Sequence, residues 1–249
     1  MLEKHARKGI YILPNLFTTA ALFAGFYAIV AAMNNQFEHA PIAVFIAMIM
    51  DGLDGRVARW THTESDFGAQ YDSLSDMVSF GLAPALVMYE WALSGLGKLG
   101  WLAAFLYAAA AALRLARFNT QTGGDSRYFT GLPSPSAAAV TVGLVWVLNS
   151  TYGVPGREVS FLALAFTVFA AVAMVSNIRY HSFKHLNVKD RVSFVAIIAV
   201  VLLFVLISLD PPQVLFIIFF AYALSGPLFA TFRQYRRWSG RRTGDSRRL

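Results

Sequence analysis

Cysteine is absent from this sequence, which excludes disulfides, zinc–thiolate sites and thiol nucleophiles. Charge is scarce as well. Only 14% of the residues are Asp, Glu, Lys or Arg, against roughly a quarter in an ordinary soluble domain. The apolar stretches 135–152, 161–178, 192–209 and 214–232 contain no acidic residue at all. What the chain has instead is apolar surface: 57% of its 249 residues are hydrophobic and its mean hydropathy is +0.52. Much of that surface must face lipid. Apolar runs recur along the chain without a long polar linker, so 1–249 reads as a single integral membrane domain.

Apolar runs of about twenty residues, enough to cross a bilayer, predict helices. They fall at 16–33, 41–58, 69–93, 101–116, 135–152, 161–178, 192–209 and 214–232. The fold class expected is therefore all-α, a polytopic bundle of about eight transmembrane helices. The segment 117–134, with Gly123, Gly124, Gly131, Pro133 and Pro135, reads as loop. The first run follows a basic N-terminus, as in a signal peptide, but its length and the spans after it predict a retained helix. Runs of small residues at 108–112 and 137–139 predict close helix packing.

With those spans, every Lys and Arg except Lys98 and Arg157 falls on one side of the membrane, out of 21 in the chain. Basic residues mark the cytoplasmic side. Both termini and the connection between the second and third spans are expected there. The net charge of +7 is concentrated in a basic cytoplasmic tail, 233–249, carrying Arg233, Arg236, Arg237, Arg241, Arg242, Arg247 and Arg248. Such a tail suits anionic lipid. No basic stripe interleaved with aromatics points to nucleic acid.

Against this background the aspartates of the second and third spans are conspicuous. A charge in hydrocarbon costs roughly 2.5–3.5 kcal/mol, so an ionisable residue there is a functional hypothesis. At about 100° per residue, Asp51, Asp54, Gly55 and Ala58 share one helix face. Gly68, Asp72, Ser75, Asp76 and Ser79 share a face of the next helix. A short polar connection makes the two helices antiparallel neighbours whose acidic faces converge near the cytoplasmic boundary. Converging carboxylates repel unless cations neutralise them. An all-oxygen set selects Mg²⁺, Mn²⁺ or Ca²⁺ over zinc or copper. Small residues at 55, 58 and 68 leave room for a bulky ligand, and Arg56 and Arg59 are placed to meet a diphosphate. Together these residues describe a site for attack on a phosphodiester or diphosphate.

The run Asp51-Gly-Leu-Asp54-Gly55-Arg-Val-Ala58-Arg59, followed by Gly68, Asp72 and Asp76, resembles the CDP-alcohol phosphotransferase family at every defined position of its signature. The resemblance implies a reaction in which an alcohol hydroxyl attacks the β-phosphorus of a CDP-linked donor and releases CMP. It implies Asp51, Asp54 and Asp72 as metal ligands for Mg²⁺ or Mn²⁺, and Asp76 as ligand and general base. It further implies a CDP-lipid site at Gly55, Ala58, Arg59, Ser65 and Gly68. A homodimer in the cytoplasmic membrane is also what the resemblance implies.

Three further segments are similar to the bacterial and archaeal phosphatidylserine synthases within that family. They are the opening Leu13-Pro14-Asn15-Leu-Phe-Thr18-Thr19, the run Arg114-Leu-Ala-Arg117-Phe118-Asn119, and Gly131-Leu-Pro133-Ser134-Pro135-Ser136. By this likeness the donor is CDP-diacylglycerol and the acceptor L-serine. Arg114, Arg117 and Asn119 are candidates for clamping the serine carboxylate, and Asn15 and Thr18 are candidates beside them. Positive-inside anchoring is the other reading of the arginines, and helix-start capping that of Asn15 and Thr18. Glycerol 3-phosphate, an inositol phosphate or choline remain alternative acceptors. A cation transporter is a remoter alternative, which predicts acidic residues spread through the membrane or a helix broken at its midplane. His62 reads as a solvated loop residue; His5, His39, His181 and His185 fall at span ends.

Overall fold

Apolar runs interrupted only by short polar turns leave the backbone one economical way to satisfy its hydrogen bonds in lipid, and the chain is helical almost throughout. The structure is a computed structural model that describes the backbone of residues 12–120, 128–181 and 194–245, and side chains over 13–120, 128–181 and 197–232. Expectations for Lys4, His5, Arg7, Lys8, Gly123, Gly124, Arg127, Lys184, His185, Lys189, Arg191 and the side chains of the 233–249 tail lie outside the described residues.

The helices are α1 (Ile12–Met33), α2 (His39–Thr61), α3 (Asp66–Asp76), α4 (Ala83–Met88), α5 (Lys98–Thr120), α6 (Ser134–Trp146), α7 (Ser160–Val175), α8 (Phe194–Leu209) and α9 (Pro211–Asp245). Short π-helical turns at Met77–Leu82 and Tyr89–Leu93 join α3 and α4 into one long rod ending at Leu96. Among the described residues, five helices are by length and composition able to cross a membrane: Leu13–Met33, Asp66–Leu96, Lys98–Thr120, Gly156–Val175 and Pro211–Phe232. The helix carrying Asp51 and Asp54, and the shorter α6 and α8, account for the remaining stretches expected from the sequence.

Two local departures have physical causes. The expected loop is shorter than 117–134, because α5 runs on to Thr120. Its far end forms a strand, β1 (Tyr128–Thr130), paired antiparallel with β2 (Arg179–His181), Phe129 opposite Tyr180. Gly131 permits the turn out of β1 with φ +81, where an added Cβ would collide with the Met174 carbonyl. The π-helical turn after Asp76 meets Pro84, which has no N–H for the Phe80 carbonyl four residues back. The buried Tyr107 hydroxyl donates to that carbonyl at 3.2 Å.

Small residues pack the interior. Ala28, Ala40, Ala47, Ala83, Ala137, Ala138, Ala139, Ala163 and Ala170 are fully buried, while Phe23, Phe26, Phe105, Phe161 and Phe204 are exposed. This inversion suits a bundle in lipid, where close backbone approach takes over from water-driven burial. Of the small-residue runs read from sequence, 137–139 is wholly buried, and Ala110 and Ala111 are buried within 108–112. The closest helix pairs are α1 with α2, α5 with α7, and α6 with α9. Both α2 and α3 pack along α1, whereas α2 and α3 themselves approach one another sparsely. The gap between them is where the acidic faces open.

Candidate active site

Helix α2 carries Asp51 and Asp54 one turn apart, and it ends just beyond them. His62 closes it in the left-handed region (φ 53), its backbone N–H donating to the Ala58 and Arg59 carbonyls. The chain turns at once into α3, where Ser65 is the N-cap: its hydroxyl accepts the Gly68 N–H at 3.0 Å. Seven and eleven residues beyond Ser65, Asp72 and Asp76 sit one turn apart and face back toward α2.

Asp51, Asp72 and Asp76 each offer a carboxylate oxygen, and the three atoms lie within 4.8 Å of one another. Asp51 is within hydrogen-bonding reach of both Asp72 and Asp76. Three carboxylates this close are unfavourable as a bare cluster and need a cation or shared protons. Oxygen-only donors brought together from two helices fit a hard divalent cation. Asp54 is held slightly apart from this group. Its Oδ2 accepts the Thr18 hydroxyl at 2.7 Å, and it is 6% exposed.

Beside the carboxylates opens a cleft of about 470 Å³. Its walls include Asn15, Thr18, Asp54, Gly55, Ala58, Arg59, Ser65, Gly68 and Asp72, all singled out by the sequence reading. They also include Pro14, quoted there only within the opening segment, and Thr63, Glu64, Asp66 and Ala69, which that reading passed over. These last four lie within or just after the stretch between Arg59 and Gly68 that the signature leaves undefined, where only position in the fold reveals them. Gly55 keeps the floor low: a Cβ there would lie 3.7 Å from the Arg59 guanidinium, which folds back over it. Gly68 is tighter still, with Ser65 Oγ 3.1 Å and Asn15 Oδ1 3.5 Å from where its Cβ would be.

The remaining candidates stand outside the cleft walls. Arg114 donates from Nη1 to Ser134 Oγ at 2.9 Å, its Nε is buried without a partner, and its charge acts on Asp76. Arg117 donates to Asn177 Oδ1 at 2.6 Å. Asn119 donates to Ser73 Oγ at 2.9 Å, tying α5 to the helix that bears Asp72 and Asp76. Further along, outside the spans, burial pushes the Tyr180 phenol up to about 12, so it remains a neutral donor, to the Ala223 carbonyl at 3.1 Å. Neither the Ser134 partner of Arg114 nor the Asn177 partner of Arg117 was foreseeable, because each pairing joins segments distant in sequence.

Comparison with known proteins places the chain among its relatives. Residues 11–176 match the model of the CDP-alcohol phosphatidyltransferase family. The CDP-diacylglycerol–serine O-phosphatidyltransferase of Helicobacter pylori is 41% identical over 197 residues, covering 79% of this chain and 83% of that protein. The enzyme of the same name from Mycobacterium bovis is 34% identical over 245 residues, 95% of this chain and 84% of its own length. An archaetidylserine synthase from Methanothermobacter thermautotrophicus is 37% identical over 171 residues, 68% of this chain and 69% of its own.

Proposed function

The chain belongs to the CDP-alcohol phosphatidyltransferase family, and from that membership we propose that it is a CDP-diacylglycerol–serine O-phosphatidyltransferase. It transfers the phosphatidyl group of CDP-diacylglycerol to the hydroxyl of L-serine and releases CMP. The observation that carries this reading is the meeting of Asp51, Asp72 and Asp76 beside a cleft that contains Arg59. The names of the relatives support serine as acceptor.

In this reading Asp51, Asp54, Asp72 and Asp76 hold Mg²⁺ or Mn²⁺. A divalent cation bound there neutralises the diphosphate and stabilises the charge that develops on the departing CMP. The protein's own groups do the rest. Arg59 pairs with a phosphate of the donor, while Gly55, Ala58 and Gly68 let the nucleotide approach the backbone, and Ser65 lies at the rim. Asp76 accepts the proton of the serine hydroxyl as its oxygen bonds to the β-phosphorus and the bond from that phosphorus to the CMP oxygen breaks. Among the acceptor candidates Asn15 lines the cleft, and Arg114, outside its walls, acts through its charge on Asp76.

The proposed setting is a single multi-pass domain of eight spans, homodimeric, in the cytoplasmic membrane with the cleft and both termini facing the cytoplasm. The distribution of Lys and Arg supports that orientation. Purified protein supplied with CDP-diacylglycerol and Mn²⁺ is expected to release CMP when offered L-serine. Glycerol 3-phosphate, inositol phosphate and choline, offered separately, are expected to give background release. CMP release with glycerol 3-phosphate alone would overturn serine as acceptor.

A further inference from the structure

A carboxylate ligand works only if its oxygens are aimed, and an aspartate's own terminal torsion does little of the aiming, because that rotor is broad. Asp54 has an external restraint. Thr18, on α1 and 36 residues away, donates to Asp54 Oδ2 at 2.7 Å. The hydroxyl also lies 3.2 Å from the Pro14 carbonyl, but it has one hydrogen, and the shorter contact to a carboxylate takes it. Thr18 lines the cleft but is only 3% exposed, and the single hydrogen of its hydroxyl goes to Asp54.

The same short segment of α1 grips the other aspartate helix. Ser75, between Asp72 and Asp76, donates to the Thr18 carbonyl at 3.1 Å, and Ser79 donates to the Ala21 carbonyl at 3.0 Å. Thr19 shares a hydrogen bond of 2.9 Å with Tyr71, the neighbour of Asp72. Since α2 and α3 approach each other sparsely and both lie along α1, their relative height is set through α1.

We propose that Thr18 is a positioning residue for the metal site: its hydroxyl aims the Asp54 carboxylate, and its carbonyl fixes the height of the Asp72–Asp76 helix against it. This rests on the reading of the aspartates as metal ligands. It moves Thr18 from the acceptor site to the support of that cluster.

The test is Mn²⁺ binding to the detergent-solubilised full chain without substrate, followed by the loss of the free-ion paramagnetic resonance signal. It is paired with turnover measured against Mn²⁺ and against serine. Supporting residues of this kind typically contribute roughly 10–100-fold in metal affinity. Thr18→Val, which keeps the shape and removes the donor, is expected to weaken Mn²⁺ binding by about that factor. Its turnover should recover at high Mn²⁺, with KM for serine unchanged. Thr18→Ser is expected to bind Mn²⁺ like the wild type. Thr18→Ala, read the same way, serves if the valine variant does not purify as a folded protein. Unaltered Mn²⁺ binding in Thr18→Val, a rise confined to KM for serine, or equal loss in the serine and valine variants would each overturn the inference. If the wild type itself bound no Mn²⁺, the metal-site reading would fall instead.

Discussion

At the residue scale, the proposed chemistry concentrates in Asp76, the one carboxylate to which that proposal gives two tasks. It shares the three-oxygen cluster with Asp51 and Asp72, and it lies under the charge of Arg114. Replacing a general base usually costs about 10²–10⁴-fold in rate. Asp76→Asn is therefore expected to lose turnover on that scale while still retaining radiolabelled CDP-diacylglycerol in a filter-binding assay; near-normal turnover would remove Asp76 as the base. The clustering was legible because the spacing of Asp51, Asp54, Gly55 and Ala58, and of Gly68, Asp72 and Asp76, is local, each set lying on one helix face, while the roles rest on the family resemblance. The partner of Thr18 was not legible. A threonine early in a helix looks like a cap, and nothing in the sequence announces a carboxylate 36 positions later. The partners of Arg117 and Asn119 were hidden for the same reason, since Asn177 and Ser73 lie on other segments.

At the scale of elements, two contacts hold the acidic rod in place. Gly25 of α1 touches the π-helical turn that follows Asp76: a Cβ at position 25 would stand 2.5 Å from Ser79 Oγ and 2.6 Å from Ser79 Cα. Backbone cannot yield as a flexible side chain does, so Gly25→Val should part α1 from that helix. Overpacking of this kind costs about 1–3 kcal/mol. A lower thermal midpoint in detergent, together with reduced turnover, is the expected result. Tyr107→Phe is a gentler test: it leaves the Phe80 carbonyl, already deprived of a partner by Pro84, without its hydroxyl donor. A loss of stability of about 1 kcal/mol is expected from chemical unfolding, with the active-site residues untouched. Apolar length announced the helices well. It did not announce the π-helical turns, or the β1–β2 pair, whose strands are separated by a whole helix pair.

At the scale of the whole molecule, the fold is an all-α bundle with an alanine-rich interior and an aromatic exterior, and its acidic cluster is gathered at one end of two helices. The clustering is what the phosphotransferase reading expects, while a cation path through the membrane calls for acidic residues along its length. Orientation is open to direct measurement, because the chain has no cysteine of its own. Single cysteines at Lys98→Cys and Arg157→Cys are expected to react with a membrane-impermeant maleimide on intact cells. Glu64→Cys, at the cleft, is expected to react only after permeabilisation; labelling of intact cells at position 64 would invert the topology.

The central claim is that this membrane chain uses its aspartate cluster to join serine to a phosphatidyl group, and the lipid product reports on it directly. Purified protein in micelles is given CDP-diacylglycerol, Mn²⁺ and isotopically labelled L-serine, and the extracted lipids are weighed by mass spectrometry. The account predicts labelled phosphatidylserine, formed in step with CMP, abolished by a chelator and by Asp76→Asn. Lipid free of the serine label, alongside CMP formed at the same rate without serine, would contradict it.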